Sequence, residues 1–154
     1  MTRLSPSLVA ARVLAALALA LAPASASAAE FRSVADNAAI LYDAPSVKAK
    51  KLYAIGRNYP VEVVVTVEGW TKIRDAAGEL TWIETKSLSE RRTLMVKARL
   101  ADVRGAPDDK APVVFQAEQN VLLDLAELTG TGWARVTHRD GQSGFIRLNL
   151  VWGA

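Results

Sequence analysis

Cysteine is absent from the 154-residue chain, and histidine occurs once, at position 138. Without cysteine there is no disulfide framework and no lipid anchor on a thiol, so the fold must rest on its core. One histidine among scattered acids gives no ligand set for a first-row metal. No glycine-rich phosphate loop occurs, and no cofactor is expected. Also missing is a run of membrane-spanning length. The apolar stretch Val13 to Leu21 falls short of the ~20 residues a spanning helix needs. Past that stretch no apolar stripe recurs at 3.6-residue spacing, which argues against helices.

The short apolar stretch has a different meaning. Arg3 and Arg12 stand ahead of it, Pro23 breaks it, and Ala24-Ser25-Ala26-Ser27-Ala28-Ala29 supplies the small residues a signal peptidase requires. Residues 1–28 are therefore expected to be a signal peptide, cleaved near Ala28, with the mature protein soluble in the periplasm. Lys and Arg number 19 against 16 Asp and Glu. Removing Arg3 and Arg12, with no acid, leaves 17 against 16. So even a mixed surface is what remains, and the chain has no stripe of charge for nucleic acid.

The rest of the chain repeats itself. Leu41-Tyr42-Asp43-Ala44-Pro45 matches Val103-Arg104-Gly105-Ala106-Pro107. Gly69-Trp70-Thr71-Lys72-Ile73-Arg74 matches Gly132-Trp133-Ala134-Arg135-Val136-Thr137, and Gly78-Glu79-Leu80-Thr81-Trp82-Ile83 matches Gly141-Gln142-Ser143-Gly144-Phe145-Ile146. The offset is 62 at the prolines and 63 from the tryptophans onward, so one residue has been inserted between. Two copies are too few for a solenoid and suit two small domains in tandem. The division reads as domain 1 at 30–88, a polar linker at 89–94 and domain 2 at 95–154.

Each copy reads as short strands. Val61, Val63, Val65 and Val67 alternate with polar residues, Val64 excepted, as in a half-buried strand. Val121 to Leu125 holds the same place in the second copy. Asp75-Ala76-Ala77-Gly78 and Arg139-Asp140-Gly141 mark hairpins. The pattern predicts an all-β protein of two small barrels.

The order Leu/Val-x-x-Ala-Pro, apolar strand, Gly-Trp-x-Lys/Arg-Ile/Val, then Gly-x-x-x-Trp/Phe-Ile resembles the bacterial SH3 family. More narrowly, it resembles exported tandem SH3-like proteins of Gram-negative bacteria, over nearly all of residues 31–154. Asp102-Val103-Arg104 keeps most of that family's Asn-Val-Arg string, while Leu41-Tyr42 departs from it. Thr81 stands where the family has glycine. Ile40-Leu41-Tyr42-Asp43-Ala44-Pro45 is also similar to a string of eukaryotic SH3 domains, but its counterpart in the second copy keeps only the apolar residue and Ala-Pro. A proline-rich ligand is not implied.

Catalysis is not expected. Enzymes of the resembled family carry a separate catalytic domain, often a Cys-His peptidase. Ser143, His138 and Asp140 share one hairpin, where side chains alternate between faces and cannot form a relay. Asp108 and Asp109 follow Pro107 in a solvated turn. Binding is the better prospect. Along Trp70 to Arg74, Thr71 and Ile73 take one face and Trp70, Lys72 and Arg74 the other. Trp133 and Arg135 repeat this opposite Val136. An aromatic beside cations suits a ligand with apolar and carboxylate groups, and the resemblance implies a peptidoglycan stem peptide. Tyr42 would line the same groove. Alternatively, the tryptophans are lids packed on their own arginines, and the protein is a scaffold or inhibitor docked on a periplasmic protein. Trp82 and Phe145 are expected in the cores, and Trp152 at the interface or closing the second barrel. The chain reads as a monomer.

Overall fold

The computed structural model describes residues 28–154. The expected signal segment lies outside the described residues, save for Ala28. Among the described residues, fourteen strands form two sheets of seven. The first contains β1 (Glu30–Val34), β2 (Ala38–Tyr42), β3 (Lys51–Gly56), β4 (Pro60–Val67), β5 (Trp70–Arg74), β6 (Leu80–Glu84) and β7 (Leu88–Ser89), hydrogen-bonded in the order β3-β2-β6-β5-β4-β1-β7. The second contains β8 (Thr93–Val96), β9 (Leu100–Arg104), β10 (Val113–Glu118), β11 (Leu122–Leu128), β12 (Trp133–Thr137), β13 (Ser143–Arg147) and β14 (Val151–Trp152). Its order, β10-β9-β13-β12-β11-β8-β14, is the first order advanced by seven. The duplication seen in the sequence is thus a duplication of topology, and the protein is all-β with two tandem repeats. A 3-10 turn precedes the last strand of each sheet, at Thr85–Ser87 and Leu148–Leu150. Among the described residues no helix is long and apolar enough to cross a membrane.

Strand alternation builds one core per repeat. Val34, Leu41, Val61, Ile73 and Ile83 are buried together in the first. At the matching positions of the second stand Val96, Val103, Leu123, Val136 and Ile146. Fully burying such a side chain stabilises by about 1.5–3 kcal/mol, so two small cores carry the fold without covalent links.

Two expectations about faces need correction. Trp82 and Phe145 do not enter the cores; both are half-buried on the outer side. Cross-strand partners share a face. Ile83 pairs with buried Thr71 and Thr81 with buried Ile73, which leaves Trp82 beside Lys72. Phe145 likewise pairs with Arg135. In β4, alternation holds only at its start. A bulge between Val63 and Val65 shifts the register, so Val65 pairs with Lys72 and Val67 with Trp70. Both valines face outward, 43% and 44% exposed.

Glu90, Arg91 and Arg92 separate the sheets, and Thr93 and Leu94, assigned to the linker from sequence, begin β8. The repeats are fastened by specific contacts. Trp152 meets Phe31 edge-to-face at 5.2 Å, and its indole Nε1 donates to the Pro60 carbonyl at 3.0 Å. Trp152 therefore seals the interface. The Thr93 hydroxyl donates to the Asn58 carbonyl at 2.6 Å. Arg92 donates to the Gly153 carbonyl and lies 5.7 Å over the Phe31 ring.

Candidate functional site

The outer face of the first sheet can be built row by row from its register. One row crosses β4, β5, β6 and β2 through Val65, Lys72, Trp82 and Tyr42. The next carries Val67, Trp70 and Glu84. Period-two alternation sends these side chains away from the core, and the bulge in β4 adds the two valines. Tyr42 meets Trp70 edge-to-face at 5.2 Å and is only 6% exposed, although it points outward. Lys72 holds its ammonium 5.9 Å from the Trp82 ring centre. Trp70 and Trp82 are both half-buried, so part of each ring meets solvent.

The surrounding charges are mostly spent. Arg74 donates to Glu62 at 2.8 Å, which places it in a third row and away from the aromatics. Lys86 pairs with Glu84 at 2.8 Å, and that hydrogen bond holds its ammonium above the usual lysine range. Lys72 over Trp82, and Lys51 paired across from Tyr42 on β3, are thus cations that this face offers beside its rings.

The second sheet has the same rows with other chemistry. Glu127, Arg135, Phe145 and Arg104 stand where Val65, Lys72, Trp82 and Tyr42 stand in the first. Trp133 is 5% exposed because the Arg147 guanidinium lies 4.6 Å over its ring. Arg147 is fixed in turn by a fork onto Asp109, which raises the guanidinium pKa and holds the Asp109 carboxyl below its ordinary value. Arg104 binds Asp102 and the Ala111 carbonyl, each at 2.8 Å. A shallow hollow of about 200 Å³ remains among Leu100, Asp109, Trp133 and Arg147.

Of the residues singled out from sequence, the structure brings Tyr42, Trp70 and Lys72 together. It sets Arg74 apart, and it places Trp133 and Arg135 on the second sheet, with Trp133 capped. Trp70 meets Tyr42 and Trp133 meets Arg147, each within its own repeat. Sequence reasoning missed Trp82, Val65 and Val67 as members of the face. For Trp82 the sequence carried no signal, and only its pairing with β5 decides its face. For the valines the signal was Val64, whose break in alternation marks the bulge.

The hairpins after β5 and β12 also diverge. Asp75 is buried and accepts hydrogen bonds from the Ala77 and Glu79 amides and, at 2.7 Å, from the Tyr53 hydroxyl. Burial, first, and this carboxylate, second, push the Tyr53 phenol well above the ordinary tyrosine range. His138 takes the Asp75 position in the second repeat, with Nδ1 3.0 Å from Asp140 and its ring against Phe115. The Gln142 amide, its side chain and then His138 hold Asp140 down at about 2.

Comparison with known proteins identifies the repeats. The bacterial SH3 domain matches residues 35–90 and again 97–153. No curated protein matches the chain significantly. Among solved structures, NlpC2 of Trichomonas vaginalis is 17% identical, with a TM-score of 0.38, and the match covers 82% of this chain and 49% of that one. NlpC1 of the same organism is 18% identical, with a TM-score of 0.38, covering 82% and 46%. An NlpC/P60 family protein of Bacillus cereus is 17% identical, with a TM-score of 0.37, covering 80% and 56%. The chain spans about half the length of these structures. The double match settles the family: the chain belongs to the bacterial SH3 domain family, whose members are binding modules.

Proposed function

We propose that this tandem bacterial SH3 protein is a non-enzymatic binding module of the periplasm, and that its first repeat receives a peptide-like ligand such as a peptidoglycan stem peptide. One observation carries the reading. The outer face of the first sheet keeps two partly open tryptophans, two exposed valines and an ammonium over an indole, while on the same face of the second Trp133 is capped by the ion-paired Arg147. Apolar side chains of a peptide would lie along Trp70, Trp82 and the valines. A carboxylate would be drawn to Lys72, whose charge the Trp82 ring already orients. Arg104 and Arg147 are engaged in ion pairs and Trp133 is capped, which leaves Arg135 beside Phe145, so the second repeat supports the first rather than duplicating its role.

Sedimentation with insoluble peptidoglycan tests the reading. The wild type pellets at low salt, and Lys72→Ala with Trp82→Ala weakens binding by about 2 kcal/mol, close to thirtyfold. Arg135→Ala with Phe145→Ala leaves it unchanged. Wild-type protein that stays in the supernatant ends the cell-wall version. Soluble stem peptides come back from incubation unaltered; a cleavage product would overturn the non-enzymatic part.

A further inference from the structure

Another concavity lies between the two repeats. It is a cleft of about 790 Å³, within the range of small-ligand sites. Three turns far apart in sequence supply its cations. Arg57 comes from the β3–β4 turn, Arg91 from the link between the sheets, and Arg139, with His138 beside it, from the β12–β13 turn. Asp124 is the acid that lines the cleft. For a chain with nearly balanced charge, three guanidiniums facing one carboxylate in a concave site is a local excess. Concave walls focus such a field and raise the local concentration of anions.

Asp124 shows which chemistry fits. Arg91 holds it in a fork, Nη2 to Oδ2 at 2.7 Å and Nε to Oδ1 at 3.2 Å. The cleft therefore already seats one oxyanion group, and it is the protein's own. Arg57 spends only Nε, on Asn37 at 3.0 Å, which leaves its two terminal amino groups. The Arg139 guanidinium is exposed and makes no ion pair among the described residues. Asn58 and Asn120 sit at matching turn positions, with φ of 66° and 70°, and both line the cleft. Their amides add neutral donors from each repeat. Val121 and Leu123 supply apolar wall.

We infer that the cleft between the repeats binds a small ligand carrying at least two oxyanion groups, carboxylates or phosphates, through Arg57 and Arg139, with Arg91 held partly in reserve by Asp124. Guanidinium forks suit both anions. The site lies apart from the aromatic face of the first sheet and stands without the peptide reading.

Titration of the full chain with citrate and, separately, pyrophosphate tests the inference by amide NMR. At least one probe is expected to give saturable shifts at Asn58, Asn120 and Gly141; which one does so separates a carboxylate ligand from a phosphate ligand. Arg57→Gln with Arg139→Gln, at exposed positions, weakens binding about a hundredfold at unchanged melting temperature. Asp124→Asn removes the internal competitor and tightens binding severalfold. The inference is overturned if neither probe saturates, if the shifts lie outside the cleft, or if the double arginine variant binds like wild type. A weaker Asp124→Asn variant overturns the reserve role of Arg91.

Discussion

Val65, Lys72, Trp82 and Tyr42 cross the first sheet in one row, and Glu127, Arg135, Phe145 and Arg104 cross the second in the same row. The strands beneath are paired in the same order, and five inward positions have stayed aliphatic, while buried Thr71 and Thr81 give way to Ala134 and Gly144. The outward set has changed character more widely, from aromatic and apolar to largely charged. In a strand the two faces are read independently. A core can therefore be held constant while the surface above it is exchanged, and comparing the repeats separates what the fold needs from what a binding face adds.

Exchanging residues between the repeats tests that separation, and the largest effect should come from inside. A Cβ on Gly144 would stand 2.6 Å from the Arg104 carbonyl oxygen and 2.8 Å from a Val103 methyl. At the matching place, Thr81 is accommodated and buried. Gly144→Thr should therefore cost about 4 kcal/mol, read as a lowered thermal midpoint, because backbone must move. A midpoint within a degree of wild type would show that the two β-strand crossings are interchangeable after all.

Next in size is Asp75→Ala, which strips two amides and the Tyr53 hydroxyl of their acceptor. We expect a loss of about 3 kcal/mol by urea unfolding. His138→Ala in the matching hairpin should cost clearly less, since it removes one partly exposed pair. Equal losses would mean that the hairpins are held alike.

Thr81 offers a gain. Its hydroxyl is buried and has no hydrogen-bond partner among the described residues. Thr81→Val keeps the shape and removes the desolvated group, for a stabilisation of about 1 kcal/mol. A destabilised variant would reveal a hidden partner for that oxygen.

The smallest effects should separate the repeats by pH. Tyr53 is raised in the folded state, so the stability it contributes is present below pH ~10 and fades as pH rises beyond the unfolded tyrosine value. Tyr53→Phe should flatten the alkaline limb of the stability curve. Asp140 is lowered to about 2, so its contribution is present above the ordinary aspartate pKa and is lost as pH falls toward 2. Asp140→Asn should flatten the acid limb instead. If either substitution leaves its own limb unchanged, the titrating group lies elsewhere.

Much of this architecture was legible in the residues. Ala-Pro, Gly-Trp and aromatic-Ile recur in register because each marks a strand end, a turn or an inward position that the topology repeats. The face of Trp82 was not legible, since period-two alternation leaves open whether Trp82 or Ile83 points inward. Only pairing with Thr71 and Ile73 decides it. Val65 and Val67 were assigned to the wrong side for a related reason: a bulge shifts register by one residue and costs the pattern only Val64. Arg57, Arg91 and Arg139 were invisible as a group. They sit in three turns, and no spacing in the chain connects turns of different repeats.

The Trp152 contacts bear on the order of events in folding. Within a repeat, neighbouring strands pair across short turns, and such local closures form early. Phe31 and Trp152, by contrast, meet across almost the whole described chain, and the Pro60 carbonyl waits for an indole 92 residues further on. Each sheet can thus assemble during synthesis while the seam stays open, and docking of the two comes last. The arginine-lined cleft exists only once that final step is made, so the anion binding inferred for it would report that the two repeats have docked.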